Sequence, residues 1–348
     1  MFSAAWEFTK RHKGKIITGS VLVGSAIAYA TSKPTFKNLE MGHVQEELPN
    51  QARRHYIFDA THRSCDQSIT DLIPSVTSQI EGRFEIDTLR ARLSAPELPI
   101  DEKIQLWDLL KRNVFCRIIA VAYSFSILTL TLKAQISILA ADTCSQFERR
   151  KTQQDWKSYL PESVSSFIPG SQNSPETSNM EVGNRRIFLQ CVQYFTLRGV
   201  PQLLESIYEA VSEELKDWQL KDVKSKYDVR LIFDKIGTRV GTHGLLSKLV
   251  APIENNISEG NSSVMRLLQQ LTINLESAKS INTLNSLLDF YFSAALKMVD
   301  SEEQALAKYI PLLSNSYPIL TSTAFDSPLF NSLYSSDVHQ FAVFVFNS

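Results

Sequence analysis

No Cys-x-x-Cys pair occurs in this chain. Its four cysteines stand at 65, 116, 144 and 191, too scattered for a zinc knuckle or a thiol–disulfide motif. They read as free thiols in a reducing compartment. Excess charge is lacking as well: 36 Lys and Arg against 37 Asp and Glu leave a formal net charge of -1, so no global field draws the chain to nucleic acid. Glycine and proline are few, 12 and 13 among 348 residues, so long segments run without punctuation. G-x-x-x-x-G-K-[ST], H-E-x-x-H, G-x-S-x-G and G-x-G-x-x-G are all missing. The sequence therefore points to no catalytic residue, cofactor or metal. The glycine-rich run from Gly237 to Gly244 fits no phosphate loop and reads as a connection between helices. His55 and His62 come without a matching ligand set and read as solvated or locally bonded.

What the chain has is apolar residues at helical spacing. A hydrophobic content of 43% can fill a large core, and the period predicts an all-α fold: one N-terminal transmembrane helix followed by a single large helical-bundle domain. Residues Ile16 to Ser32 carry no charge and lie between Lys15 and Lys33. A helix of that length covers roughly 25 Å, so the flanking lysines must snorkel if it spans a bilayer. The same segment has the three parts of a cleavable leader, ending at Ala26-Ile27-Ala28 or Ala28-Tyr29-Ala30. Scattered cysteines argue against secretion. Two N-x-[ST] sequons, at Asn256 and Asn261, argue for it, though such tripeptides arise often by chance.

Beyond residue 33 the chain enters its domain through a charged, helix-prone stalk that Pro49 and Pro74 should kink or restart. Ile118 to Leu132, between Arg117 and Lys133, is too short to cross a membrane and continues in register to Ala141. It reads as a helix buried all round. Residues 161–184 read as a flexible loop and 254–263 as a second polar break, with helices at Arg185–Leu197, Val200–Trp218 and Val264–Ser277. Ser301 and Gln304 make a capping-box pattern for a helix through Lys308, perturbed by Pro311.

The helix from Asp101 to Cys116 has more apolar surface than one packed side needs. Ile104, Leu106, Trp107, Leu109, Leu110, Val114 and Phe115 cover an arc of roughly 240°, against about 100° for an ordinary amphipathic helix. Either several neighbours surround it or part of the surface forms a groove, with Lys103, Trp107, Leu110 and Val114 following one another along one face. Tryptophan suits such a groove because it buries a large area at small rotamer cost.

These residues carry a family resemblance. Trp6-x-Phe8-x-x-Arg11-His12-Lys13, Gln51-Ala52-Arg53-Arg54-x-Tyr56-x-Phe58, Arg63-x-Cys65, Pro74, Trp107-x-x-Leu110-Lys111, Phe115-x-Arg117 and Leu306-Ala307-Lys308-x-Ile310-Pro311 resemble the peroxisomal biogenesis factor 3 family. The resemblance implies a short matrix-side tail at residues 1–15, an anchor at 16–33 in the peroxisomal membrane, and a cytosolic all-helical domain at 34–348 without enzymatic activity. It further implies a partner, peroxisomal biogenesis factor 19, the soluble chaperone that delivers new peroxisomal membrane proteins. An amphipathic helix of that partner would enter an apolar groove formed by Trp107, Lys103, Leu110, Lys308 and Leu93. The basic cluster before the span would instead place the N-terminus in the cytosol by loop charge. Two rivals stand beside this reading: a membrane-tethered helical enzyme acting on lipid, and a secreted helical protein whose leader is removed.

Overall fold

The computed structural model describes residues 50–95, 98–158, 188–189, 191–241, 244–250, 262–299 and 303–348. The candidate anchor at 16–33, Pro49, the 161–184 loop and the polar break up to residue 261 lie outside them. The architecture is a helical bundle wrapped around one very long helix, as the apolar period predicts.

That axial helix, α3 (Ile100–Ser158), follows two others, α1 (Asn50–Arg83) and α2 (Asp87–Leu93). No glycine or proline interrupts residues 100–158, so the segments read separately as Asp101–Cys116 and Ile118–Ala141 are one rod. From Ile118 to Ala140 every residue is buried. By length and hydropathy this stretch could cross a bilayer, but 94% of its most apolar window is covered by protein. It is the centre of the core.

The covering helices are α5 (Val200–Glu214), α8 (Ser262–Leu275), α9 (Ala278–Ala295), α10 (Leu306–Leu320) and α12 (Ser336–Asn347), together with α1 and α2. Shorter pieces complete the order: α4 (Cys191–Tyr194) with a π turn at Phe195–Gly199, α6 (Lys226–Val240), α7 (Leu245–Val250) and α11 (Pro328–Leu333). A ribbon of two residues a side, β1 (Val223–Lys224) and β2 (Gln304–Ala305), pairs antiparallel. Here the structure departs from the predicted capping box: Gln304 lies in the ribbon, and α10 begins after Ala305, which supplies no side-chain cap.

α1 is a wall of the domain rather than a stalk. Ile69, Ile73, Val76 and Ile80 form a buried stripe at helical spacing against α3, and the helix runs through Pro74 unbroken. Packing on both sides of the proline offsets its lost hydrogen bond. At the end of α1 the carbonyls of Phe84 and Glu85 accept from Arg117 Nε (2.7 Å) and Asn113 Nδ2 (2.9 Å) of α3, so groups that a helix end leaves unpaired are satisfied by the axis itself. The run Gly237–Val240 is helical too, and Tyr123 Oη donates to the Gly237 carbonyl at 3.0 Å. Gly241 (φ 75°) and Gly244 (φ 68°) have the positive φ that turns the chain.

Inside the rod, the side chains of Lys133, Gln135 and Ser137 are matched to neighbouring segments. Lys133 Nζ lies 2.6 Å from Asp66 of α1, both almost covered. Burial raises the Asp66 carboxyl above its usual range more than the Lys133 ammonium lowers it. Gln135 Nε2 donates to the Phe188 carbonyl at 2.8 Å. His62 of α1 meets Ser137 Oγ at 3.1 Å, and burial, with help from Lys133 and His339, holds its pKa down from 6.5 to about 2.

Two stability predictions follow from this packing. A methyl group on Gly199 would stand 2.4 Å from the Leu249 carbonyl oxygen, so Gly199→Ala should cost about 1–3 kcal/mol, read as a lower thermal midpoint. An unchanged midpoint would show that α7 can yield there. His62 is neutral in the fold but takes up a proton below about 6.5 when unfolded, so it draws stability down as pH falls through that value. Between pH 7 and 5 the native chain should lose about 2 kcal/mol more than His62→Gln in denaturant titrations. Parallel losses would mean that His62 is protonated in place.

Candidate docking site

Of the predicted site residues, Lys103, Trp107 and Leu110 lie on the first turns of α3. Asp101 and Glu102 sit in the first turn of α3, where the helix dipole favours negative charge. Glu102 pairs with Arg92 of α2 at 2.5 Å, and Arg90 of α2 donates to Ser314 Oγ of α10 at 2.7 Å. α2, α3 and α10 are thereby tied together at this end. Leu93, the last residue of α2, is half-buried against the main core.

Along α3 the exposed apolar stripe is Ile100, Ile104 and Trp107, at i, i+4 and i+7. Ile100 is 77% exposed and Ile104 60%, while Trp107 is half-buried against the core. Lys103 flanks them in solvent. The face predicted from Lys103 through Trp107 to Leu110 and Val114 needs correction, because Leu110 (3% exposed) and Val114 (1%) point into the core. Leu110 can serve a groove only as its underlying support. The arc that stays open is rotated toward Ile100 and Ile104, since other helices cover the Leu110 side.

Lys308, the third residue of α10, is exposed. Its segment is fastened to the turn that follows α5: the Leu306 and Ala307 N–H groups donate to the carbonyls of Asp222 (2.9 Å) and Leu220 (3.0 Å). The same turn carries Trp218, whose ring lies under Lys224 Nζ at 4.7 Å. One turn beyond Trp107, Lys111 reaches the Leu215 and Trp218 carbonyls. The structure thus connects the Trp107 and Lys308 regions through the turn at 215–222. On the flank of α3 an open recess of roughly 560 Å³ is lined by Arg92, Pro99, Glu102, Gln105, Leu106 and Leu109, without Trp107.

This surface offers apolar area and lysine charge. Among the described residues no three of His, Cys, Asp and Glu converge as a metal site. All four cysteines are buried free thiols, and burial pushes Cys65 and Cys191 up to about 12, far from the thiolate that nucleophilic chemistry needs. Sequence reading missed Ile100 as an exposed neighbour of Trp107 and Lys111 as a buried connector. The available signal for Lys111 was its place between Trp107 and Phe115, four residues away on either side along one helical face.

Comparison with known proteins agrees with the family resemblance. The profile of the Peroxin-3 family matches residues 93–311, a span that holds Leu93, Lys103, Trp107, Leu110 and Lys308. Among curated relatives, peroxisomal biogenesis factor 3 of Bos taurus is 24% identical over 317 residues, covering 85% of this chain and 78% of the relative. The Homo sapiens protein of the same name is 23% identical over 317 residues, with the same coverage. Peroxisome biogenesis protein 3-2 of Arabidopsis thaliana is 20% identical over 347 residues and covers 90% of both chains.

The contrast between neighbouring positions on α3 is testable by stability alone. Leu110→Ala should cost about 2–5 kcal/mol, as cavities in cores do, while Ile104→Ser should stay within about 0.5 kcal/mol of the parent. Equal losses at the two positions would mean that Ile104 is covered in solution.

Proposed function

This chain belongs to the Peroxin-3 family of peroxisome biogenesis factors, and from that premise we propose that it is a docking receptor for peroxisomal biogenesis factor 19. Residues 16–33 anchor it in the peroxisomal membrane and the helical domain faces the cytosol. An amphipathic helix of the partner lies along the first turns of α3, so the chain works by binding and not by catalysis.

The observation that carries this reading is the stripe of Ile100, Ile104 and Trp107, left open at the start of a helix that is enclosed from Ile118 to Ala140. Two exposed isoleucines beside a half-buried tryptophan form an apolar strip one helix wide, the footprint of helix-in-groove recognition. Leu110 supports it from below. Trp107 is the anchor because a large ring already seated on one side loses little freedom when covered on the other. Lys103 and Lys308 supply positive charge for an acidic partner helix, acting more on encounter rate than on residence time.

Purified full-length chain in detergent, titrated with peroxisomal biogenesis factor 19, tests the assignment. Trp107→Ala should weaken binding by about 2 kcal/mol or more, roughly thirtyfold, with only a small change in thermal midpoint. Lys103→Ala and Lys308→Ala should lose less affinity and flatten the salt dependence. Full affinity in a folded Trp107→Ala chain would remove Trp107 from the site. Wholesale unfolding would return it to the core.

A further inference from the structure

Lys111 is the cation at this end of the rod that solvent does not reach. It is 2% exposed, one helical turn past Trp107. An ammonium has three hydrogens, and three oxygens surround this one: the Asp108 carboxylate at 2.7 Å and the carbonyls of Leu215 at 3.1 Å and Trp218 at 2.7 Å. Leu215 is the residue that ends α5, so the ammonium also sits at the negative end of that helix. Asp108 is held in turn by Arg112 at 2.7 Å. A buried ammonium is costly unless all of its hydrogens are bonded. The turn after α5 therefore cannot move away from α3 without stranding the charge.

The turn fastens what comes next. Leu220 and Asp222 accept from the N–H groups of Ala307 and Leu306, Val223 pairs with Ala305, and Lys224 accepts from Tyr309 Oη at 2.9 Å. Lys308 stands among these fastened residues. Each step from Lys111 to the start of α10 is a hydrogen bond or a ribbon pair, and the apolar contacts of Trp218 and Leu220 with the main core run alongside them.

We infer that Lys111 is a positioning residue of the docking face: it sets the separation between the apolar strip at Trp107 and the lysine at Lys308 before any partner arrives. This rests on the docking reading above. A lysine that only stabilised the fold would change the melting temperature and leave the effect of Lys308 on binding as it was. A positioning lysine makes the contribution of Lys308 conditional on itself.

A double-mutant cycle on the full-length chain in detergent, titrated with peroxisomal biogenesis factor 19, separates the two. Lys111→Met keeps the apolar stem and removes the ammonium. It should weaken binding about fivefold and expose the Leu306 and Ala307 amides to faster hydrogen exchange with no partner present. Lys308→Ala should cost about threefold in the parent and nothing further in Lys111→Met, whereas Trp107→Ala should remain costly in both. The same loss from Lys308→Ala in both backgrounds, or unchanged exchange at Leu306 and Ala307, overturns the inference. If Lys111→Met fails to melt cooperatively, Lys111→Arg takes its place, since a planar guanidinium cannot aim three donors at these oxygens; coupling kept in full there also overturns it. Loss of the Trp107→Ala effect in the parent would instead overturn the docking reading, and the exchange measurement would still judge Lys111.

Discussion

A helix apolar on every side must be enclosed on every side, and the rest of the molecule is arranged to meet that demand. From Ile118 to Ala140 the axial helix has no solvent face. Left bare in water, each large side chain along it would forgo roughly 1.5–3 kcal/mol of burial. Enclosing it takes elements drawn from both ends of the described chain: α1 before it, and α5, α8, α9, α10 and α12 after it. One hydrophobic cluster accordingly runs from Cys65 to Val345.

Apolar burial alone would let these helices slide along the rod, because a methylene is indifferent to its neighbour. The polar residues within the rod remove that freedom. Lys133 accepts one partner height on α1, that of Asp66, and Ser137 meets His62 one turn along. Toward the start of α3, Asn113 and Arg117 grip the end of α1, and Lys111 grips the end of α5. Buried polar groups lose far more when unpaired than they gain when paired, so they act chiefly on register.

These roles explain what the amino-acid order disclosed and what it withheld. The core nature of Ile118–Leu132 was legible because a charge-free run of that length is too short for a bilayer, and the surplus of apolar arc around Trp107 was legible as more surface than one packed side uses. The open side of that arc was not, because Ile104 and Leu110 look alike locally and differ only in which distant helices lie over them. Lys133 marked the edge of an apolar run in sequence and yet lies inside, paired with an aspartate 67 positions earlier (133 − 66). Gln304 offered a plausible cap and went to a ribbon instead, since Lys224 was waiting beside it in space.

The antiparallel course of α1 and α3 makes the domain a spacer. Arg54, near the start of α1, stacks its guanidinium on Phe346 at the C-terminal end of the chain, 5.1 Å from the ring centre, while the far end of α1 is held beside Asn113 and Arg117. α1 runs 34 residues in all, a ruler of roughly 50 Å. Trp107 lies beyond the far end of that ruler, so the strip and the start of α1 stand at opposite ends of the domain. On the docking reading, a partner seated on the strip is held at one height at every encounter, because α1 and α3 form a single strut.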